Sequence, residues 1–219
     1  MFRIKICGVT RVEDALMAAE AGADAVGLNF YPGSRRYLPP ETVEAVVAAL
    51  PVDVSKVGLF VNSPAAEVAE IFDRLHLDLI QLHGDEPPEY LAQLAGRPVM
   101  KAFRLGPKGL EPVAAYLQQC REAGCVPALC LVDSFMPGHY GGTGQVADWA
   151  KLETYPLDEW HPPLVLAGGL TPENVGHAIE QARPHAVDTS SGVESSPGNK
   201  DPVLVHRFVA AAKAAFAKL

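Results

Sequence analysis

The chain is poor in what a nucleic-acid or membrane protein needs. Eighteen Lys and Arg stand against 26 Asp and Glu, a formal net charge of −8, and a surface of that balance does not neutralise a phosphate backbone. That argues against general nucleic-acid binding and leaves room for a local basic or phosphate site. No apolar run reaches membrane-spanning length, and Lys5 and Cys7 interrupt the start before a signal-peptide core can form. The expectation is a soluble cytoplasmic protein. Cysteine is scarce: Cys7, Cys120, Cys125 and Cys130 contain no C-x-x-C pair and no histidine at zinc-finger spacing, which argues against a disulfide framework and a structural zinc. There is no H-E-x-x-H, no clustered set of His and carboxylates, no P-loop and no dinucleotide fingerprint, so neither a metal, ATP nor a dinucleotide is implied.

What the chain does have is repetition. Short β-rich runs recur along its whole length: "FRIKI" (2–6), "DAVGLNF" (24–30), "SKVGLFV" (55–61), "DLIQLH" (78–83), "PVMKAF" (98–103), "ALCLVD" (128–133), "PLVLAG" (163–168) and "HAVDTS" (185–190). Segments of helical periodicity separate them. Thr10-x-x-Glu13 reads as a capping box, Ser63-Pro64 and Thr171-Pro172 as caps before a proline, and Gly22 and Gly96 as helix stops. Strand then helix, eight times over 219 residues without a linker-like change of composition, predicts one (β/α)₈ barrel domain spanning 1–219. A doubly wound sheet of five or six strands would leave two runs unexplained.

In such a barrel the active site lies at the C-terminal ends of the strands. Those ends present Cys7, the "YPGSRRY" loop (31–37), His83, Asp133, Gly168-Gly169 and "DTSSG" (188–192). Cys7 and Asp133 come from strands remote in sequence, yet the barrel brings both to one rim as a candidate base and acid. An ordinary thiol is mostly protonated at neutral pH, so a base needs help from the opening helix N-terminus or from a cation; strand alternation places Arg3, Lys5 and Cys7 on one face, with Lys5 the nearest cation. The alternatives are a buried apolar Cys7 and a turn-forming Asp133. Cys120, Cys125 and Cys130 read as structural.

Three glycine-bearing stretches come late: "GGTG" (141–144), "AGGL" (167–170) and "SSGVE" (190–194). The last two follow strands 7 and 8, where barrels often bind phosphate through backbone N–H groups, so a small phosphorylated substrate is the expected partner. Arg35 or Arg36 supplies a guanidinium for a carboxylate or phosphate, unless the pair is merely solvated surface.

Taken together, "KICGVT", "DALMAAEAGADAVGLNFYPGSRRYL", "VGLFVN", "IQLHGDE", "LVDSFMPGHYGGTG", "LAGGLTPENV" and "VDTSSGVESSPGNKD" resemble the phosphoribosylanthranilate isomerase family of tryptophan biosynthesis over nearly the whole chain. The resemblance implies a (β/α)₈ barrel that performs an Amadori rearrangement without a cofactor. It implies Cys7 as general base, Asp133 as general acid, Arg36 on the anthranilate carboxylate and Asp188 on the sugar. Gly142, Gly144, Gly168, Gly169, Ser191 and Gly192 would hold the phosphate. A related isomerase of histidine synthesis resembles this site with aspartate in place of Cys7, so the thiol argues against that assignment. Two other functions fit a phosphosugar barrel: a Schiff-base aldolase using Lys101, and a non-catalytic phosphate-binding protein. Monomer and homodimer are both compatible with the sequence.

Overall fold

A computed structural model describes residues 1–94, 96–133, 149–156 and 158–219. Eight parallel strands close in sequence order, each hydrogen-bonded to the next and the eighth to the first: β1 Ile4–Cys7, β2 Ala25–Asn29, β3 Ser55–Phe60, β4 Leu79–Leu82, β5 Val99–Arg104, β6 Leu129–Asp133, β7 Leu164–Ala167 and β8 Ala186–Thr189. All eight expected strands are present, and the fold is the expected (β/α)₈ barrel.

Helices α1 Val12–Glu20, α2 Pro40–Ala49, α3 Ala65–Arg74, α4 Pro88–Ala92 and α5 Glu111–Glu122 follow the first five strands. A 3₁₀ turn at Trp149–Leu152 precedes β7, and α6 Val175–Ala182 follows it. After β8 comes a small antiparallel hairpin, β9 Glu194–Ser196 with β10 Asn199–Lys200, and then α7 Pro202–Phe216. No described helix is long and apolar enough to cross a membrane.

The last helix shows how local sequence fixes an element. Asp201 caps it, its carboxylate accepting from the Val203 and Leu204 amides, and Pro202 occupies the first turn, where no amide donor is needed. Val205, Phe208, Val209, Ala212 and Ala215 recur at helical spacing and are buried. The expected capping box at α1 does not form. Arg11 takes the cap position without a side-chain bond, and the Thr10 hydroxyl instead donates to the Gly198 carbonyl at 2.7 Å, tying α1 to the hairpin.

Strand alternation divides the interior in two. Ile80 and Leu82 of β4 and Val132 of β6 face outward into the layer beneath the helices. Val57, Leu79, Met100, Ala102, Leu129, Leu131, Val165, Ala167 and Ala186 fill the barrel axis. Truncating a fully buried Leu82 to alanine would cost about 2–5 kcal/mol. Where the inward series continues toward the C-terminal ends, its residues become polar: Lys5, Cys7, Gln81, Asp133 and Asp188. That change of character marks the site.

Candidate active site

A cavity of about 270 Å³ opens at the C-terminal end of the barrel. It is lined by Cys7 of β1, Asn29 of β2, Gln81 of β4, Asp133 of β6 and Asp188 of β8, with His83 just past β4 and Arg36 and the Gly168-Gly169 and Ser191-Gly192 loops around them. Most of the expected site residues meet here, supplied by strands up to 181 positions apart in sequence. Gly142 and Gly144 of the "GGTG" stretch lie outside the described residues.

The floor is built on an ion pair. Lys5 and Asp188 are register partners in the β1/β8 ladder, and Lys5 Nζ donates to Asp188 Oδ1 at 2.9 Å with the lysine wholly buried. Burial opposes the ammonium, but Asp188 and Cys7 beside it outweigh burial and push its pKa up. Two residues along the same face, Cys7 meets this charge. Burial drives the Cys7 thiol up, and Lys5 and Lys200 pull it only partly back while Asp188 adds to the rise. Lys5 thus stands where a cation was expected, and burial nevertheless keeps the Cys7 thiol protonated at neutral pH. The neighbouring strand makes room for the sulfur: a methyl group on Gly27, the register partner of Cys7, would lie 2.5 Å from Cys7 Sγ.

His83 and Gln81 form one unit. Gln81 Nε2 lies 3.0 Å from His83 Nδ1, and with the amide nitrogen donating, the neutral imidazole carries its proton on Nε2. Burial above all, then Lys5, Arg104 and Lys101, lower the His83 pKa to about 4, so the ring is a neutral hydrogen-bonding group at physiological pH.

Of the two arginines, Arg36 lines the cavity and Arg35 is exposed away from it. No motif signals what holds Arg36. Its Nε and one terminal nitrogen donate to both oxygens of Glu194, at 2.7 and 2.6 Å, across 158 positions of chain. Lys200 Nζ donates to the same carboxylate at 2.8 Å and to the Ser190 carbonyl at 3.2 Å. Glu194 and Lys200 sit in the β9–β10 hairpin; in sequence Glu194 closes the "SSGVE" stretch that reads as a phosphate loop, and Lys200 lies beyond it.

At the far wall, Gly168 and Gly169 hold φ of 92° and 66°, a left-handed pair that turns the β7 exit without side chains. Gly192 allows no side chain, since a Cβ there would collide with the Leu170 carbonyl. These bare backbones suit an anion with several acceptor oxygens.

Lys101 is placed elsewhere. Met100 and Ala102 point to the barrel axis, so by alternation Lys101 points outward, where it pairs with Glu86 at 3.1 Å, donates to the Gly84 carbonyl at 2.7 Å and lies over the Tyr116 ring. It does not line the cavity.

The comparisons with known proteins bear on this arrangement. The family model for N-(5'-phosphoribosyl)anthranilate (PRA) isomerase matches residues 4–211. The chain belongs to this family. It is 47% identical over 215 residues to the N-(5'-phosphoribosyl)anthranilate isomerase of Geobacter metallireducens, covering 98% of this chain and all of that one. It is 50% identical over 209 residues to that of Stutzerimonas stutzeri, covering 94% and 95% of the two chains. Among solved structures, the phosphoribosylanthranilate isomerase of Thermotoga maritima superposes with a TM-score of 0.85 at 41% identity, covering 98% and 100% of the two chains. A family member solved with reduced 1-(o-carboxyphenylamino)-1-deoxyribulose 5-phosphate gives 0.82 at 39%, again over 98% and 100%.

Proposed function

We propose that this protein catalyses the Amadori rearrangement of N-(5-phosphoribosyl)anthranilate to 1-(2-carboxyphenylamino)-1-deoxyribulose 5-phosphate, a step of tryptophan biosynthesis, using Asp133 as general acid and Cys7 as general base. One observation carries this reading. In a chain of the PRA isomerase family, strand alternation turns Cys7, Asp133 and Asp188 into the same cavity, with Arg36 and the glycine-rich loops at its edge.

The chemistry follows from those groups. Asp133 gives a proton to the ribose ring oxygen, the C1–O bond breaks, and the nitrogen lone pair closes onto C1 to form a protonated Schiff base. The iminium draws electrons from C2, so the C2 proton becomes acidic enough for Cys7 to remove. The resulting enolamine tautomerises to the C2 ketone. No electrons enter or leave overall, and one acid and one base suffice. Arg36 takes the anthranilate carboxylate, Asp188 the sugar hydroxyls, and the Gly168, Gly169, Ser191 and Gly192 backbones the phosphate, joined in this reading by Gly142 and Gly144.

The raised thiol pKa sets a condition on the base. Cys7 acts with Lys5 close by, because the lysine favours the thiolate against the burial that disfavours it. Asp188 divides the attention of that lysine, so sugar hydroxyls donating to Asp188 weaken its hold on Lys5 and leave more of the ammonium for the sulfur.

The outward Lys101 disfavours the aldolase alternative, because its amine is satisfied by Glu86 and backbone carbonyls away from the cavity. We place the enzyme in the cytoplasm. It acts as monomer or homodimer. The test is to supply fresh phosphoribosylanthranilate and follow the loss of its fluorescence. Decay no faster than the uncatalysed reaction would remove the proposal.

A further inference from the structure

Arg36, Glu194 and Lys200 form a linked trio in which only the arginine reaches the cavity. The Glu194 side chain is 4% exposed and that of Lys200 is 0% exposed, against 26% for Arg36. A buried Glu194–Lys200 pair is already neutral. Adding Arg36 leaves one net positive charge in the trio, and that charge belongs to the member at the cavity wall. For stability alone this surplus has no use, because an unbalanced half-buried cation carries a desolvation cost. Facing an anionic ligand, it does.

The way Glu194 grips the guanidinium is as informative as the charge. It occupies Nε and one terminal nitrogen, the side-on edge of the fork. The end-on edge, formed by the two terminal nitrogens, remains for a planar carboxylate in the same plane. The rest of the arginine is held as well. Its amide donates to Ser34 Oγ at 3.1 Å, and its stem lies against Gly8, where a methyl group would sit 2.5 Å from Arg36 Cδ.

We propose that Glu194 is a positioning residue for Arg36, holding the guanidinium side-on so that its end-on fork meets the aryl carboxylate of the substrate, with Lys200 sharing the glutamate's charge. This rests on the isomerase reading above and extends it to a residue that does not line the cavity. Lys200 keeps Glu194 from neutralising Arg36 completely. The hairpin β9–β10 exists, on this account, to deliver both groups to the back of the arginine.

The test separates orientation from general integrity by using two ligands: the reduced product analogue, and the same anilino sugar phosphate without its aryl carboxylate. Glu194→Gln should weaken the carboxylated ligand roughly tenfold, as loss of a supporting contact does when geometry matters. The carboxylate-free ligand should stay within about twofold. In an Arg36→Ala background the Glu194→Gln effect on the carboxylated ligand should vanish, because the two act as one unit. Glu194→Asp, which keeps the charge on a shorter stem, should fall between, and it carries the comparison if the glutamine variant folds poorly. Equal weakening of both ligands, or an undiminished effect without Arg36, overturns the proposal while wild-type turnover of phosphoribosylanthranilate stands. Absence of wild-type turnover overturns the isomerase reading and this inference with it.

Discussion

Lys5 and Asp188 stand opposite each other in the β1/β8 ladder, and their side chains meet inside the barrel at 2.9 Å, 0% and 8% exposed. Register alone brings them together: inward positions of adjacent parallel strands share a layer. The pair closes the floor of the cavity and puts a fixed cation below the Cys7 thiol. Its stabilising value depends on both partners remaining, since a lone charge at this depth has no water to solvate it.

Lys5→Met and Asp188→Asn are each therefore expected to destabilise the fold by roughly 3–5 kcal/mol. The double variant should lose less than the sum, because the second change removes the charge stranded by the first. Urea denaturation of the four proteins checks this. Additive losses would mean that the two side chains are not coupled.

Cys7 answers to the same lysine. Its thiol pKa lies above the ordinary value of 9.0 because burial outweighs Lys5 and Lys200. The thiolate fraction therefore grows with pH through and beyond that value, and removing Lys5 shifts the curve further upward. Alkylation of Cys7 by iodoacetamide, mapped by mass spectrometry, should still be climbing at pH 9. In Lys5→Met it should be slower at every pH below the plateau. A plateau well below pH 9 would show that the cations prevail over burial.

The eight strands and their order were legible because each is a short run of β-branched and apolar residues bounded by turn formers, and the C-terminal ends of those strands then placed Cys7 and Asp133 at one rim. Two features escaped for different reasons. Gln81 was readable in principle, as a lone polar residue at an inward position of "DLIQLH", but a buried amide in a strand has no motif to announce it. Glu194 was not readable at all. Its bond to Arg36 spans 158 positions and depends on how a hairpin folds back over the rim. The capping box at Thr10 failed for a similar reason: the Gly198 carbonyl took its hydroxyl, a tertiary partner overriding a local signal.

Lys101 tests strand parity itself. Pointing outward, it is sealed by Glu86, whose Oε1 in turn accepts from the Asn62 amide at 2.8 Å. Borohydride in the presence of substrate should leave no covalent adduct on Lys101. Lys101→Met should destabilise by roughly 3–5 kcal/mol, since Glu86 would be left charged and 2% exposed. Turnover per folded molecule should remain close to that of the parent, measured at a temperature where the variant is folded. A reduced adduct at Lys101 would revive the aldolase reading.

Asp133 is the proposed general acid. It ends β6, its carbonyl accepts from the Leu105 amide at 2.9 Å, and its side chain enters the cavity from the inward face of the strand. Asp133→Asn keeps the size and shape of the side chain and removes its acidic proton. An amide has no proton to transfer to the ring oxygen. The ring then opens only by unassisted cleavage or with water as acid, and kcat should fall by at least about 10²-fold, the lower end for loss of a general acid. The ground-state contacts to carboxylate and phosphate come from other residues, so affinity for the reduced product analogue should be retained within about threefold. The two measurements decide together. A fall in kcat with binding preserved is the signature of a proton donor, whereas parallel losses would make Asp133 a binding group. Turnover within about tenfold of the parent would move the acid elsewhere, and Asp188, the other carboxylate lining the cavity, would be the next to replace.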